Sequence, residues 1–383
     1  MLTAQIKHPS DLSAAELAAW RALAAAHPAF ASPLLGPDFA LEVGRVRDDA
    51  RVAVWKRDHQ PVGFLPFHSR PGGLARPIGS PFSDYHALVS AADAGLKGAE
   101  ALALAGLSAF RFSGLVDPHG VFADAVAERA PGFVVQLDQP VDDYMEALRA
   151  ASPKRFKNYR RLDSKLEREV GDLRLVAPDH SDEAFEALMG WKQAQLARTG
   201  LSDFLRPGWT RALMRNLFER RAGDTQGLLI MLYAGAHPVG GHFGIRQGEV
   251  YHPWIAATDP QFAAFGPGIT VLARAIAAMP ELGLKTYDLG PSHDHYKRHY
   301  AQTSIEVGEG LAAAASTAGR MAEGVESAWT LAGARRAGPV GKLRRRLDVI
   351  ATTELTTAGR VRGFVEAVAA QGRRRSVVES ELG

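Results

Sequence analysis

At 383 residues, with 46% hydrophobic and 23% charged residues, the chain has room for two ordinary domains and is too apolar to be disordered. It contains no cysteine, which excludes disulfides, thiolate metal sites and a cysteine acyl-enzyme. The net charge of +3 is unevenly spread: from residue 311 onward twelve Lys and Arg face seven Asp and Glu, so the first 310 residues are slightly acidic and a nucleic-acid-binding body is not supported.

In chain order, Asp11 to Ala26 reads as a helix capped by Asp11 or Ser13, and Ser32 to Arg47 as a second. Arg51 to Lys56 and Pro61 to Phe67 read as strands paired across the turn at Asp58, His59 and Gln60. Further short strands are expected at Ala87 to Ser90, Ala109 to Phe112 and Gly132 to Leu137, with a helix at Leu96 to Ala105. The glycines between Arg70 and Pro77 do not lead into a strong helix, so this half lacks a good phosphate turn. A Gly/Pro-rich loop runs from Gly79 into Asp84, Tyr85 and His86, a mix of polar and aromatic residues that suits either a binding loop or a solvated turn.

The second half begins with helices at Val141 to Ala150 and Pro153 to Val170. The latter carries Lys154, Arg155, Lys157, Arg160, Arg161, Lys165 and Arg168, either a solvated face or a contact for a polyanion. After a strand at Leu173 to Val176 and helices at Glu183 to Arg198 and Pro207 to Arg221, three strands follow: Leu228 to Tyr233, Val239 to Arg246 and Glu249 to Ala256. Gly266, Pro267 and Gly268 then open an apolar helix. Such a turn aims unpaired backbone N–H groups, and the positive end of the helix dipole, at one point suited to a phosphate. Lys285 to Gly290 reads as a final strand.

Three meandering strands, a glycine turn at a helix start and one further strand resemble the core of the GCN5-related N-acetyltransferase (GNAT) superfamily. The runs Phe265 to Leu272, Tyr287 to Gly290, Tyr296-Lys297 and the basic segment Ser152 to Leu162 resemble one branch of it. These are the FemAB-like acyltransferases, especially the CelD/BcsL-type group linked to cellulose or exopolysaccharide biosynthesis. The resemblance covers roughly residues 30 to 310. It implies an α/β fold of tandem GNAT-like (acyl-CoA N-acyltransferase) domains with mixed central sheets and a C-terminal helical tail. The divisions are 1–140 for a degenerate first domain, 141–310 for a second with the phosphate turn, and 311–383 for the basic tail. It also implies acetyl-CoA or another acyl-CoA as co-substrate, held by Trp254, Ile255, Ala256, Phe265, Gly266, Gly268, Ile269 and Lys297. The usual turn has a basic residue before its glycines, where this chain has Ala263, Ala264 and Phe265.

Acyl transfer needs a group to take the acceptor's proton and donors for the developing oxyanion. His242, after two glycines on a central strand, is a candidate base with a near-neutral intrinsic pKa; the alternative is a structural histidine. Asp288 at its strand end is the second candidate, with Tyr296 orienting the acceptor. Asp84, Tyr85, His86 and His293 are expected to bind the acceptor. Trp191 and Trp254 are core residues or sugar-stacking ones. The His293-x-His295 spacing lacks further ligands at helical spacing, so no metal is expected. The function expected is transfer of an acetyl or other acyl group from acyl-CoA to an amine or hydroxyl of a sugar or polysaccharide precursor. The alternatives are a FemAB-like aminoacyl-tRNA-dependent peptidyltransferase and a non-catalytic scaffold of a polysaccharide-synthesis complex. The basic tail would meet polysaccharide-synthesis proteins or a membrane surface. With no apolar run of about 18 residues, a cytoplasmic location is expected, with peripheral attachment at the inner membrane as an option.

Overall fold

The computed structural model describes residues 1–199, 201–291, 297–301, 303–334, 338–356, 358–363 and 365. The first part of the chain forms β1 (Leu2–Lys7), α1 (Ala14–Ala25), α2 (Pro37–Val46), β2 (Ala50–Arg57), β3 (Gln60–Arg70), β4 (Leu74–Pro77), β5 (Val89–Ser90), α3 (Gly98–Leu104), β6 (Ala109–Leu115) and β7 (Val126–Gln136). The second forms α4 (Val141–Ala151), α5 (Pro153–Glu169), β8 (Leu173–Val176), α6 (Asp182–Thr199), α7 (Gly208–Glu219), β9 (Thr225–Ala234), β10 (His237–Gln247), β11 (Val250–Thr258), α8 (Pro267–Ala277), β12 (Thr286–Pro291) and β13 (Thr303–Ala313). The tail supplies α9 (Thr317–Leu331) and α10 (Pro339–Thr353).

Local chemistry explains the helix starts. Ser13 and Glu16 form a reciprocal capping box at α1, so Ser13 is the cap, while Asp11 lies in a short turn just before it. Proline occupies the first turn of α2, α5, α8 and α10, where a missing N–H costs nothing.

The strands join in one mixed sheet in the order β1-β2-β3-β4-β6-β13-β7-β12-β11-β10-β9-β8, with β5 on β3. Each half is an antiparallel meander that ends in a parallel pair, β4 with β6 and β11 with β12. Two strands cross between the halves. β7 pairs with β12, and β13, from beyond the second half's helices, pairs with both β6 and β7. The largest hydrophobic cluster spans the same divide: Trp20, Phe30, Leu34 and Phe39 pack in one core with Phe185, Leu213, Phe218 and Phe243.

Strands β1, β4 and β13 carry weak sequence signals. β1 is an edge strand with most residues outside the core, and β4 is four residues ending in proline. β13 contains Gly308 and Gly310, at the second of which its pairing with both neighbours shifts register, and glycine reads as loop punctuation in a sequence. The tail is bound to the body. Arg344 on α10 is buried and paired with Glu326. At the end of α10, Arg47 of the first half donates to the Thr352 carbonyl at 2.7 Å and Trp209 of the second to that of Thr353 at 2.9 Å. Arg373 to Arg375 lie outside the described residues. Among the described residues no helix is long and apolar enough to cross a membrane.

Candidate active site

The site grows out of the β11–β12 pair. These strands are parallel-paired only at Val250–Thr286 and Tyr251–Tyr287, and then part. On its other edge β11 carries a bulge: Phe243 faces Ile255 and Gly244 faces Pro253, leaving Trp254 as the extra residue. A bulge bends its strand and re-aims the side chains beside it. The result is a cleft of about 560 Å³ lined by Pro253, Trp254, Ala256 and Thr258 of β11, Leu289 of β12 and His242 of β10.

The same cleft runs to the start of α8. Gly266 adopts a left-handed conformation (φ 60°), which an L side chain would strain, and serves as the N-cap of α8 without any side-chain cap bond. Gly266, Pro267, Gly268 and Ile269 all line the cleft. Phe265, expected beside them, is half-buried under the Lys165 ammonium, which sits 5.1 Å from its ring centroid. The turn itself has no basic residue, but neighbouring helices supply cations: Lys165 from α5, and Lys192 and Arg198, which line the cleft from α6. Lys297 lines it too and donates to the Leu289 carbonyl. Lys192, Gln195 and Arg198 stand three residues apart on one helix face, a pattern visible in the sequence once the face is known.

His242 is only 7% exposed, and its Nδ1 is bonded to the Tyr287 hydroxyl, so Nε2 is the ring nitrogen left for the cleft. Burial, with a smaller push from the Lys192 charge, lowers its pKa to about 4. The near-neutral value expected of a strand histidine is therefore displaced by desolvation, and the ring is neutral at pH 7. Asp288 does not line the cleft. It is buried, with Oδ1 accepting from the Tyr85 hydroxyl at 2.7 Å and from the Gly290 N–H at 2.8 Å.

His252, which the sequence reading passed over, ties this network together. It is fully buried, with Nε2 3.1 Å from Asp84 Oδ2 and Nδ1 3.4 Å from Asp288 Oδ2. Burial alone would depress its pKa, but the carboxylates of Asp288 and Asp84 outweigh that and raise it to about 9. An imidazolium thus joins two carboxylates contributed by different halves of the chain.

Of the loop expected to bind acceptor, only Asp84 reaches the cleft; its side chain is 38% exposed. Tyr85 is fully buried, and burial followed by the neighbouring Asp288 charge pushes its pKa far up. His86 is buried beside the Ser83 hydroxyl at 3.0 Å, and burial lowers its pKa to about 3. Both are internal supports. Ile255 has its side chain in the core, while Trp191 and Trp254 are half-buried and border both core and cleft. Tyr296 and His293 lie outside the described residues.

Residues 153–298 match the family model of the acetyltransferase (GNAT) domain. The span contains α5, the meander, the glycine turn and β12, which is where the cleft lies. It is an acyltransferase domain, and the family implies an acyl-CoA co-substrate. The fold as a whole is a mixed α/β sheet in two halves, the second of which carries the GNAT match, with helices at the C-terminus. Among solved structures, FemX is similar at 12% identity over 80% of this chain and 96% of its own, with a TM-score of 0.49. A tandem GNAT protein from the clavulanic acid biosynthesis pathway is similar at 12% identity over 83% and 100%, with a TM-score of 0.47. No residue role follows from likenesses of that size. No curated protein matches the chain.

Proposed function

We propose that the protein moves an acetyl or other acyl group from acyl-CoA to an amine or hydroxyl of a sugar or polysaccharide precursor. The observation that carries the donor assignment is the continuity of the β11–β12 gap with the uncapped start of α8 in one cleft. The turn offers backbone N–H groups and the helix dipole to the pyrophosphate. Lys192 and Arg198 bring positive charge to the cleft, with Lys165 over Phe265 beside the turn, and the gap between the strands admits the thioester arm. The half-buried Trp191 and Trp254 at the rim give the flat apolar surfaces on which a sugar ring stacks.

The reaction needs the acceptor's lone pair aimed at the thioester carbon and its proton removed. Asp84 is the carboxylate placed to take that proton, because it lies open to the cleft where Asp288 is closed. His252 holds Asp84, and Asp288 with Tyr85 holds His252, so these three are positioning residues. His242, neutral and open to the cleft through Nε2, is placed to hydrogen-bond at the reacting centre.

Calorimetric titration of the full chain with acetyl-CoA, followed by a mass-resolved screen of sugar acceptors, tests the reading. Binding and transfer to a sugar amine or hydroxyl are expected, and Asp84→Asn should lower kcat roughly 10²-fold with acetyl-CoA affinity kept. Absence of acyl-CoA binding would remove the donor assignment, and a salt-sensitive complex with charged tRNA in its place would install the aminoacyl-tRNA alternative.

A further inference from the structure

A second pocket of about 280 Å³ lies between β12, the first half and α10, and Asp84 lines both it and the donor cleft. On β12, Leu289 borders the cleft and Pro291 the smaller pocket. Between them stands Gly290, where a Cβ would come within 2.5 Å of Asp84 Oδ2. Only glycine leaves the Asp84 carboxylate room at that point. The strand gap therefore meets the smaller pocket at a single carboxylate.

The charges around the smaller pocket are largely spoken for. Arg76 and Arg111 lie 3.2 and 2.9 Å from Asp348, and Arg111 is also 3.4 Å from Glu309. Two charges with exposed area stand outside the Arg76–Arg111–Asp348–Glu309 network: Asp84 at the Gly290 end, held from behind by His252, and Arg345 of α10, which is exposed and has no ion pair among the described residues. They are opposite in sign and share one small chamber.

We propose that this pocket takes the acyl acceptor, and that the acceptor is a small zwitterion, with a primary amine against Asp84 and a carboxylate or phosphate on Arg345. The proposal rests on the donor assignment above and sets the acceptor in this pocket rather than against Trp191 and Trp254, with its charges rather than a sugar ring as the feature recognised. An amine arrives as ammonium. Asp84 takes one of its protons; the freed nitrogen bonds to the acyl carbon as the carbon–sulfur bond breaks. A second N–H proton leaves with the coenzyme sulfur as a thiol, and Asp84 returns its proton to solvent. The products are an amide and free CoA. Asp84 attracts the ammonium and then neutralises it next to the gap, while Arg345 selects molecules that carry an anion as well.

The test uses the full chain, saturating acetyl-CoA, and free-thiol release with two matched pairs of amines: glucosamine 6-phosphate against glucosamine, and ornithine against putrescine. In at least one pair the anionic member should have a kcat/KM about tenfold higher or more. The pair that responds tells a phosphate from a carboxylate. Arg345→Glu should abolish that preference by raising KM for the anion-bearing member about tenfold, with the member that lacks the anion not impaired and the calorimetric affinity for acetyl-CoA unchanged. Equal turnover within both pairs, turnover of neither anionic amine, or a preference that survives Arg345→Glu overturns the proposal while intact acetyl-CoA binding leaves the donor assignment standing. Failure of the unaltered chain to bind acetyl-CoA removes both.

Discussion

β4–β6 in the first half and β11–β12 in the second are each parallel for two residue pairs before the strands part. In the second half none of the described residues fills the gap, and a cleft is left. In the first half the chain fills its own gap. After β4 it turns away and returns at Asp84 to His86, which takes the place beside β6: the His86 N–H donates to the Gly114 carbonyl and the Val116 N–H to that of His86, both at 2.8 Å. The helix starts differ in the same way. The Gly98 N–H that opens α3 donates to the Val121 carbonyl at 2.7 Å, whereas the start of α8 faces the cleft. A parting of strands is thus an open cleft in one half and a structural joint in the other. The joint is also what carries Asp84 and Tyr85 across to the second half's network.

The largest effect expected from this contrast comes from matched changes at the two helix starts. Gly268→Glu places a carboxylate where the pyrophosphate is expected, and a like charge there should weaken acetyl-CoA binding by about 10²-fold or more with the melting temperature little changed. Gly98→Ala puts a Cβ within 2.5 Å of the Phe122 ring and 2.8 Å of the Val121 carbonyl. It should cost about 1–3 kcal/mol of stability and leave acetyl-CoA affinity alone. Calorimetry and thermal unfolding on both variants decide it; acetyl-CoA binding lost in Gly98→Ala at a temperature where it is folded would break the comparison.

The buried histidines sharpen it. His252 is raised to about 9 in the fold, above the roughly 6.5 of an unfolded histidine. Its contribution is therefore fully present below about pH 6.5 and lost as pH rises through 9, a change on the order of 3 kcal/mol. His86, in the filled gap, is lowered to about 3, so its contribution is present above pH 6.5 and lost as pH falls toward that value. Thermal unfolding between pH 6 and 10 should show the alkaline loss in the unaltered chain and a flatter profile for His252→Gln. Parallel profiles would mean that His252 is not held as an imidazolium.

The second half was the more legible in sequence because its signals are local. The meander, the glycine turn and β12 lie within one stretch, and each is punctuated by its own turn residues. The first half hid its role. Asp84, Tyr85 and His86 read as a binding loop because polar and aromatic residues after glycine and proline look alike whether they meet a ligand or a neighbouring strand. Only Asp84 proves open to the cleft. His252, on β11, carried no signal, since its partners are 168 and 36 residues away, Asp84 in a loop of the first half and Asp288 on β12. β13 was obscured by its glycines, and with it the crossing that binds the halves.

The smallest expected effect concerns the cation the glycine turn lacks. α5 stacks Lys165 over Phe265, next to the turn, so the positive charge that would ordinarily precede the glycines arrives from another element. The side chain is 39% exposed and also lies 4.0 Å from Glu169, so solvent and a competing carboxylate both discount its attraction for a phosphate. Lys165→Ala should weaken acetyl-CoA about twofold to fivefold, a loss seen at low salt and erased at high salt. The first half, with its helix start closed by Val121, offers no counterpart, so no lysine or arginine change there should move the affinity. If Lys165→Ala has no effect at low salt, the charge of α5 belongs to a solvated face and the turn holds its anion by backbone N–H groups and α6 alone.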